Sequence, residues 1–240
     1  FWLSLFASFS CAAVVGVIVE KTIIRKLYNR DHLDQVLVTF ALILFFSELI
    51  RWIFGAFPLY LDVPKILNGS IEIFDGIYYS KYRLFIIFVG LIIATFLFFL
   101  IGKTNLGIQI RAGQYDREMI SALGVNISKL YTLLFGIGAA LAGLAGALIG
   151  TIQSVEVGMG EPILILAFVI IVIGGIGSIK GALIASLLVG LVDTLGRFLI
   201  PWVLQTITNP SDAMSIGSAI GSMLIYICLL YTSPSPRDTM

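Results

Sequence analysis

Histidine and cysteine, the residue types that most often carry acid–base, nucleophilic or metal chemistry, are scarce in this 240-residue chain. The single histidine, His32, stands beside Asp31 in a charged stretch, where a solvated loop residue is the simplest interpretation. Cys11 and Cys228 lie in apolar runs at opposite ends of the chain, without the spacing of a zinc site or a disulfide framework. We therefore expect no catalytic residue, no metal site and no enzymatic activity.

Gly102, Lys103 and Thr104 reproduce the last residues of a phosphate-binding Walker A loop. The first glycine of that motif would have to stand where the chain has Leu97, and an apolar run rather than a strand precedes the three residues. We predict that the chain binds no nucleotide through such a loop and needs no cofactor.

Two acidic residues near the ends of apolar runs each have an arginine at helical spacing. Glu48 precedes Arg51 by three positions, and Asp193 precedes Arg197 by four. Because side chains at these spacings meet on one helix face, each pair can neutralise itself near a membrane edge. Structural ion pairs are the favoured interpretation; contact with a solute pathway or with a delivery protein is the alternative.

The composition indicates which elements must hold these residues. Of all residues 59% are hydrophobic and only 12% are charged, and the mean hydropathy is +1.04. A globule of this size cannot bury so much apolar surface, whereas a bilayer core of about 30 Å accepts it in runs of about 20 residues. The sequence predicts an all-α integral membrane protein, a bundle of about six to eight transmembrane helices. The apolar runs occupy residues 1–19, 36–54, 84–101, 130–152, 162–176, 182–200 and 216–231.

The basic residues predict how the bundle is oriented. Residues 20–35, residues 102–129 and the turn at Lys180 are rich in Lys and Arg relative to their length, so we expect them on the cytoplasmic side. Residues 55–83, 153–161 and 201–215 should face outward. The 15 Lys and Arg are balanced by 14 Asp and Glu, which leaves no basic surface for nucleic acid.

The outer link, residues 55–83, is too long for a simple hairpin turn and is rich in tyrosine. It should pack on the outer face, where it either docks a soluble partner or only covers the bundle.

Small residues recur at helical spacing in two places. One set lies on a single face of the fourth run: Gly136, Ala140, Gly143, Ala147 and Gly150. The other comprises the glycine-rich stretch and the stripe after it: Gly174, Gly175, Gly177, Gly181, Ala182, Ser186 and Gly190. Close packing between transmembrane helices is the favoured interpretation, and a seam for solute translocation is the alternative. The glycine-rich stretch turns either at the membrane face or inside the bilayer.

The inner link, residues 102–129, is the most informative polar stretch of the chain. We predict a short helix outside the membrane that begins near Asp116 and Glu118 and is stopped by Gly124. A soluble partner protein could bind this helix, although a solvated amphipathic loop would explain the same pattern.

Residues 37–55, 111–148 and 168–195 together resemble the permease subunit of branched-chain amino acid importers of the ATP-binding-cassette class. The resemblance extends to about Cys228. It identifies the inner link with the cytoplasmic loop that docks on the ATPase subunit and assigns this docking role to Arg111, Ala112, Asp116, Glu118, Ala122, Gly124 and Asn126. Small residues suit a helix that nests in a cleft, and the charged ones suit a polar rim around it.

The resemblance implies a multi-pass protein of a bacterial-type inner membrane. Its expected partners are cytoplasmic ATPase subunits, a second permease subunit and an extracytoplasmic solute-binding protein. ATP would be hydrolysed in the partner subunits, and closure of those subunits would move the inner link and switch access from outside to inside. Leucine, isoleucine or valine is the default solute, while related permeases carry urea or short amides.

The alternative is a secondary transporter or channel that works alone on an ion gradient. Such proteins usually place ionisable residues near the membrane midplane, whereas Glu48 and Asp193 stand toward the ends of their runs. We expect one transmembrane domain over residues 1–231, with a truncated N-terminus. Residues 232–240 resemble translated sequencing-adapter sequence and are expected to be non-native.

Overall fold

The computed structural model describes residues 1–28, 30–64, 66–74, 77–115, 117–175, 178–205, 217, 220 and 223. The protein divides into two compact units, Phe1–Gly160 and Glu161–Met240. Predictions for Asp116, for Gly177, for residues 232–240 and for most of the run at 216–231 fall outside the described residues.

The first unit contains seven described α-helices and one β-hairpin. The helices are α1 (Trp2–Val19), α2 (Arg25–Leu27), α3 (His32–Phe54), α4 (Lys81–Lys103), α5 (Asn105–Tyr115), α6 (Arg117–Ala122) and α7 (Ile127–Ile149). A π-helical turn, Glu20–Ile24, joins α1 to α2, and strands β1 (Ser70–Phe74) and β2 (Ile77–Ser80) form the hairpin.

The second unit contains α8 (Glu161–Gly174) and α9 (Ile179–Leu204). Val169 and Val189 are buried between these two helices, with Leu166, Ile170 and Ile173 against them. A Cβ atom on Gly174 would lie 2.6 Å from the Ala182 backbone nitrogen, and Gly175 has a φ of 82°. The two helices therefore meet at a turn that requires glycine at both positions.

Six of the seven predicted apolar runs are helices in the structure. Within the described residues, five helical stretches are long and apolar enough to cross a membrane: Trp2–Leu27, Leu33–Phe54, Lys81–Lys103, Ile127–Ile149 and Lys180–Leu204. The short run is also helical, but its 14 residues reach only about 21 Å, less than the bilayer core. The chain is thus a multi-pass membrane protein whose described residues are mostly helical, as the sequence predicts.

The outer link contains the only strands among the described residues, which the sequence analysis did not predict. β1 and β2 pair antiparallel, with Ser70 opposite Ser80 and Ile71 opposite Tyr79. Leu59 also forms a backbone bridge with Val155, with N···O distances of 2.9 and 2.8 Å. Residues of the 55–83 and 153–161 links therefore meet at one end of the unit, as their predicted common location outside the membrane requires.

Helices α1 and α7 form the core of the first unit, and α4 joins them at one end. Tyr82, at the start of α4, is almost completely buried, and its hydroxyl donates a hydrogen bond to the Leu148 carbonyl oxygen at 2.9 Å. The rings of Phe1 and Phe85 pack against Tyr82 with centroid separations of 6.0 and 6.3 Å. These contacts hold the end of α7 that leads to the outer links.

Candidate functional site

The inner link folds as two helices rather than the single short helix that the sequence predicts. At its start, the Thr104 hydroxyl hydrogen-bonds the Leu100 carbonyl and lies 3.4 Å from the Gly107 amide nitrogen, so the chain turns there from α4 into α5. A Cβ atom on Gly107 would clash with the Ile101 backbone. The additional helix α5 begins directly after α4 because glycine permits this close approach.

The second helix of the inner link ends where the sequence predicts. After α6, Gly124 adopts a φ of 87°, and its amide donates to the Ser121 carbonyl at 3.0 Å. The Val125 amide reaches back to the Ile120 carbonyl at 3.3 Å. This arrangement is the usual left-handed end of a helix, for which glycine is the preferred residue.

The predicted docking residues have different positions in the inner link. Arg111, Ala112, Ala122 and Gly124 are exposed, as a docking role requires. The Asn126 side chain instead accepts a hydrogen bond from the Lys129 amide at 3.1 Å and caps the first turn of α7. Glu118 belongs to α6, but its side chain is outside the described part of the structure.

The inner link is attached to the membrane helices through Tyr131 of α7. The Tyr131 hydroxyl lies 3.4 Å from the Gly113 carbonyl oxygen of α5, to which it donates. Ile120 of α6 is buried, and its Cδ1 atom would be 4.0 Å from a Cβ atom on Gly113. The two helices of the inner link therefore meet close to the point where α5 contacts α7.

A polar cluster of Glu20, Arg25, Tyr28 and Thr132 lies beside this attachment. Glu20 is fully buried, and its carboxylate pairs with Arg25 at 3.3 Å, with Arg25 donating from Nη2. Thr132 of α7 lies 2.7 Å from Glu20 Oε2 and accepts from Arg25 Nη2 at 2.6 Å. Tyr28 donates to Glu20 Oε1 at 3.4 Å.

The Tyr28 hydroxyl remains protonated in this cluster at ordinary pH. Partial burial, followed by the negative charge of Glu20 and the hydrogen bond to it, raises the pKa of Tyr28 to about 12. Because the pKa is raised, the favourable contribution of the neutral hydroxyl is complete below the ordinary tyrosine pKa and is lost only as the pH passes about 12. Tyr28 is therefore a hydrogen-bond donor throughout the physiological range.

The polar cluster was not predicted from the sequence. Glu20 and Arg25 are five positions apart, which is not a pairing distance in an α-helix, and only the π-helical turn brings them together. An acidic residue that directly follows an apolar run of 19 residues was the available signal.

The small residues of α7 pack against α1. Cβ atoms on Gly136 and Gly143 would lie 2.9 Å from Val17 Cγ2 and 2.8 Å from the Ser8 carbonyl oxygen. Ala140 is buried in the same face, while Gly150 lies beyond the helix against Val155. The small residues of α7 thus lie in close contact with α1 along this face.

The partner face on α1 was missed by the sequence analysis, although its signal was present. Ser8, Ala12 and Gly16 are spaced four apart, the pattern that lets transmembrane backbones approach. A Cβ atom on Gly16 would clash with the Ala139 side chain, so both helices contribute small residues.

The predicted stripe on α9 is displaced by one residue. Gly190 is exposed, and a Cβ atom there would have no neighbour within 4 Å; Ser186 is exposed too. Ala185 and Val189 form the buried face of α9, about 100° around the helix from the predicted stripe. Spacing predicts that small residues share a face but does not determine which face meets α8.

Both predicted ion pairs form. Arg51 Nη1 lies 2.8 Å from Glu48 Oε1, and Arg197 Nε lies 2.7 Å from Asp193 Oδ1. Each pair is local to its own helix, and all four side chains keep part of their surface exposed. Each carboxylate is therefore neutralised by an arginine of its own helix.

Comparison with known proteins places the chain in one transport family. The model of a family described as branched-chain amino acid transport system / permease component matches residues 1–232. The high-affinity branched-chain amino acid transport system permease protein BraD of Pseudomonas aeruginosa is 29% identical, over 81% of this chain and 66% of that protein. The corresponding protein LivH of Escherichia coli is 30% identical, over 81% of this chain and 65% of its own length.

A third relative covers more of this chain. The probable branched-chain amino acid transport permease protein LivH of Methanocaldococcus jannaschii is 26% identical over 97% of this chain and 73% of that protein. The chain therefore spans between 65% and 73% of the length of these relatives. No solved structure matches it.

Proposed function

We propose that this chain, which belongs to the branched-chain amino acid transport system permease family, forms the membrane path of an ATP-driven importer. The observation that carries the proposal is the family match over residues 1–232, which includes all five helices long enough to span a membrane. In this function the chain is a transport subunit of the inner membrane and not an enzyme.

The proposed partners act on opposite sides of the membrane. ATPase subunits would dock on the inner link, and a solute-binding protein would deliver the solute on the side of the outer link. A second permease subunit, either a homologue or another copy, would complete the membrane path. Exposure of Arg111, Ala112, Ala122 and Leu123 on the inner link supports the first of these contacts.

In the proposed mechanism, ATP-driven closure of the partner subunits displaces the inner link. The Tyr131 contact with Gly113 ties α5 to α7, and the small-residue face ties α7 to α1. Movement of the inner link can therefore reach α1 and α7, because closely packed interfaces shift between discrete arrangements rather than deforming continuously.

The proposed solutes are leucine, isoleucine and valine, or related small amides. Family membership and the printed names of the relatives support the first three. Three acidic residues of the long apolar helices, Glu20, Glu48 and Asp193, are each paired with an arginine, and Asp34 lies in the first turn of α3. This placement suits a path that passes an uncharged or zwitterionic solute without holding it.

The direct test is uptake by the assembled importer. The full-length permease, produced with the ATPase and binding-protein subunits of its own operon, should take up labelled leucine only when ATP and the ATPase are both present. A parallel assay with labelled urea shows whether the transported solute is an amino acid or a small amide. Uptake that continues without the ATPase would contradict the proposal and favour a gradient-driven carrier.

Removal of the carboxylates from the two exposed ion pairs should change transport little. Exposed pairs contribute little to stability, so Glu48→Gln and Asp193→Asn should each keep uptake within about twofold of wild type. A gradient-driven carrier that used either carboxylate for ion coupling would lose uptake completely. Initial uptake rates at matched amounts of membrane protein distinguish the two results.

A further inference from the structure

The polar cluster of Glu20, Arg25, Tyr28 and Thr132 has no role in the function proposed so far. A fully buried carboxylate is costly unless it is paired and hydrogen-bonded. Here Glu20 has three partners: Arg25 at 3.3 Å, Thr132 at 2.7 Å and Tyr28 at 3.4 Å. Since well-packed apolar residues often stabilise a protein as much as a buried ion pair does, stability alone does not account for the cluster.

The position of the cluster suggests its role. It joins the end of α1 to α7 and therefore includes residues 112 positions apart in the sequence. The rings of Tyr28 and Tyr131 meet edge to face with centroids 5.2 Å apart, and the Tyr131 hydroxyl contacts the Gly113 carbonyl of α5 at 3.4 Å. A continuous set of contacts thus runs from the inner link to Glu20.

The local backbone and the hydrogen bonds allow the cluster two arrangements. Glu20 begins a π-helical turn, a rare element that often occurs at functional sites. The Thr132 hydroxyl has one proton and two acceptors, Glu20 Oε2 at 2.7 Å and the Ser128 carbonyl at 2.8 Å. A small shift of α1 against α7 can exchange these hydrogen bonds without leaving the hydroxyl unsatisfied.

We propose that Glu20, Arg25, Tyr28 and Thr132, with Tyr131 as their contact to the inner link, are positioning residues that transmit movement of the inner link to α1 and α7. In this role they determine how much solute is moved for each ATP hydrolysed. The inference rests on the proposed function, because it requires an ATPase that acts on the inner link.

The experiment measures two rates on the same proteoliposomes, ATP hydrolysis by the assembled importer and uptake of labelled leucine. Tyr131→Phe removes the hydroxyl that contacts the inner link while keeping the ring, and Glu20→Gln removes the charge while keeping the size. In both variants ATP hydrolysis should stay within about twofold of wild type, while leucine moved per ATP should fall about three- to tenfold, the range expected when coupling between sites is weakened.

Tyr82→Phe is the matched control. The hydroxyl of Tyr82, like that of Tyr131, donates to a backbone carbonyl: it lies 2.9 Å from the Leu148 carbonyl oxygen of α7, at the opposite end of that helix. Tyr82 is almost completely buried, whereas Tyr131 is partly buried. Because the hydrogen bond that it removes is the shorter and the more buried of the two, this variant should lower the melting temperature at least as much as Tyr131→Phe does, without changing the leucine moved per ATP. The ratio of leucine uptake to ATP hydrolysis therefore distinguishes a role in transmitting movement from a general loss of stability.

The outcomes distinguish the two proposals. If wild-type uptake is driven by ATP but Tyr131→Phe and Glu20→Gln leave the ratio unchanged, or Tyr82→Phe lowers it equally, the transmission role is wrong and the proposed function stands. Wild-type uptake that needs no ATPase overturns both. If Glu20→Gln does not accumulate in the membrane, the comparison of leucine moved per ATP in Tyr131→Phe and in Tyr82→Phe still tests the transmission role.

Discussion

Valine at Gly143 is expected to separate α1 from α7 and to destabilise the first unit. A Cβ atom at this position would clash with the Ala12 side chain and lie 2.8 Å from the Ser8 carbonyl oxygen. Because one obstacle is backbone, α1 itself would have to move away, and overpacking of this kind costs about 2–3 kcal/mol. The midpoint of thermal unfolding, followed by size-exclusion chromatography of heated detergent-solubilised protein, should fall clearly below that of wild type.

Gly138 and Gly146 provide controls on the same helix. A Cβ atom at either position would have no neighbour within 4 Å, so Gly138→Val and Gly146→Val change helix propensity equally without crowding α1. Both should unfold close to the wild-type temperature. An equal fall in the unfolding temperature of all three variants would contradict the prediction. It would mean that valine weakens α7 itself, whether or not it crowds α1.

Valine at Gly124 is expected to abolish most of the uptake while the protein remains in the membrane. Gly124 has a φ of 87°, and its exposed position leaves room for any side chain, so the effect of the variant is conformational rather than steric. A left-handed conformation costs an L-residue about 1–2 kcal/mol. If docking requires the α6 end to keep this shape, the docking-competent fraction falls roughly 5- to 30-fold, and uptake falls with it.

Asparagine at the same position separates conformation from the mere presence of a side chain. Asn tolerates the left-handed region better than other non-glycine residues, so Gly124→Asn should keep several times more uptake than Gly124→Val. Comparison of both with the amount of ATPase that copurifies with the permease tests docking directly. Wild-type copurification and uptake in Gly124→Val would contradict a docking role for this end of α6.

Local pattern was sufficient to predict most of the helices. The runs at 36–54 and 84–101 correspond to α3, His32–Phe54, and α4, Lys81–Lys103. An apolar run of this length lies in lipid, where a helix is needed to satisfy its backbone hydrogen bonds, so length and composition are enough to predict it. The end of α6 at Gly124 was predictable for a similar reason, since a left-handed helix end has a strong preference for glycine.

Features that depend on two distant segments were not predictable from such patterns. The small residues of α7 were identified, but α1 as their partner was not, and on α9 the buried face proved to be Ala185 and Val189 rather than Gly190. The hairpin in the outer link and the division of the inner link into α5 and α6 likewise depend on contacts that spacing does not specify.

Three properties follow from the amino-acid sequence without the structure: that this chain is a helical membrane protein, where most of its helices lie, and which family it resembles. Each of these follows from residues close together in the chain, whose hydrophobicity and backbone preferences act locally. Only the tertiary structure brought Glu20 together with Thr132 and Tyr131 together with Gly113. The residues of each pair are far apart in the chain, and the spacing within one segment carries no information about which other segment packs against it.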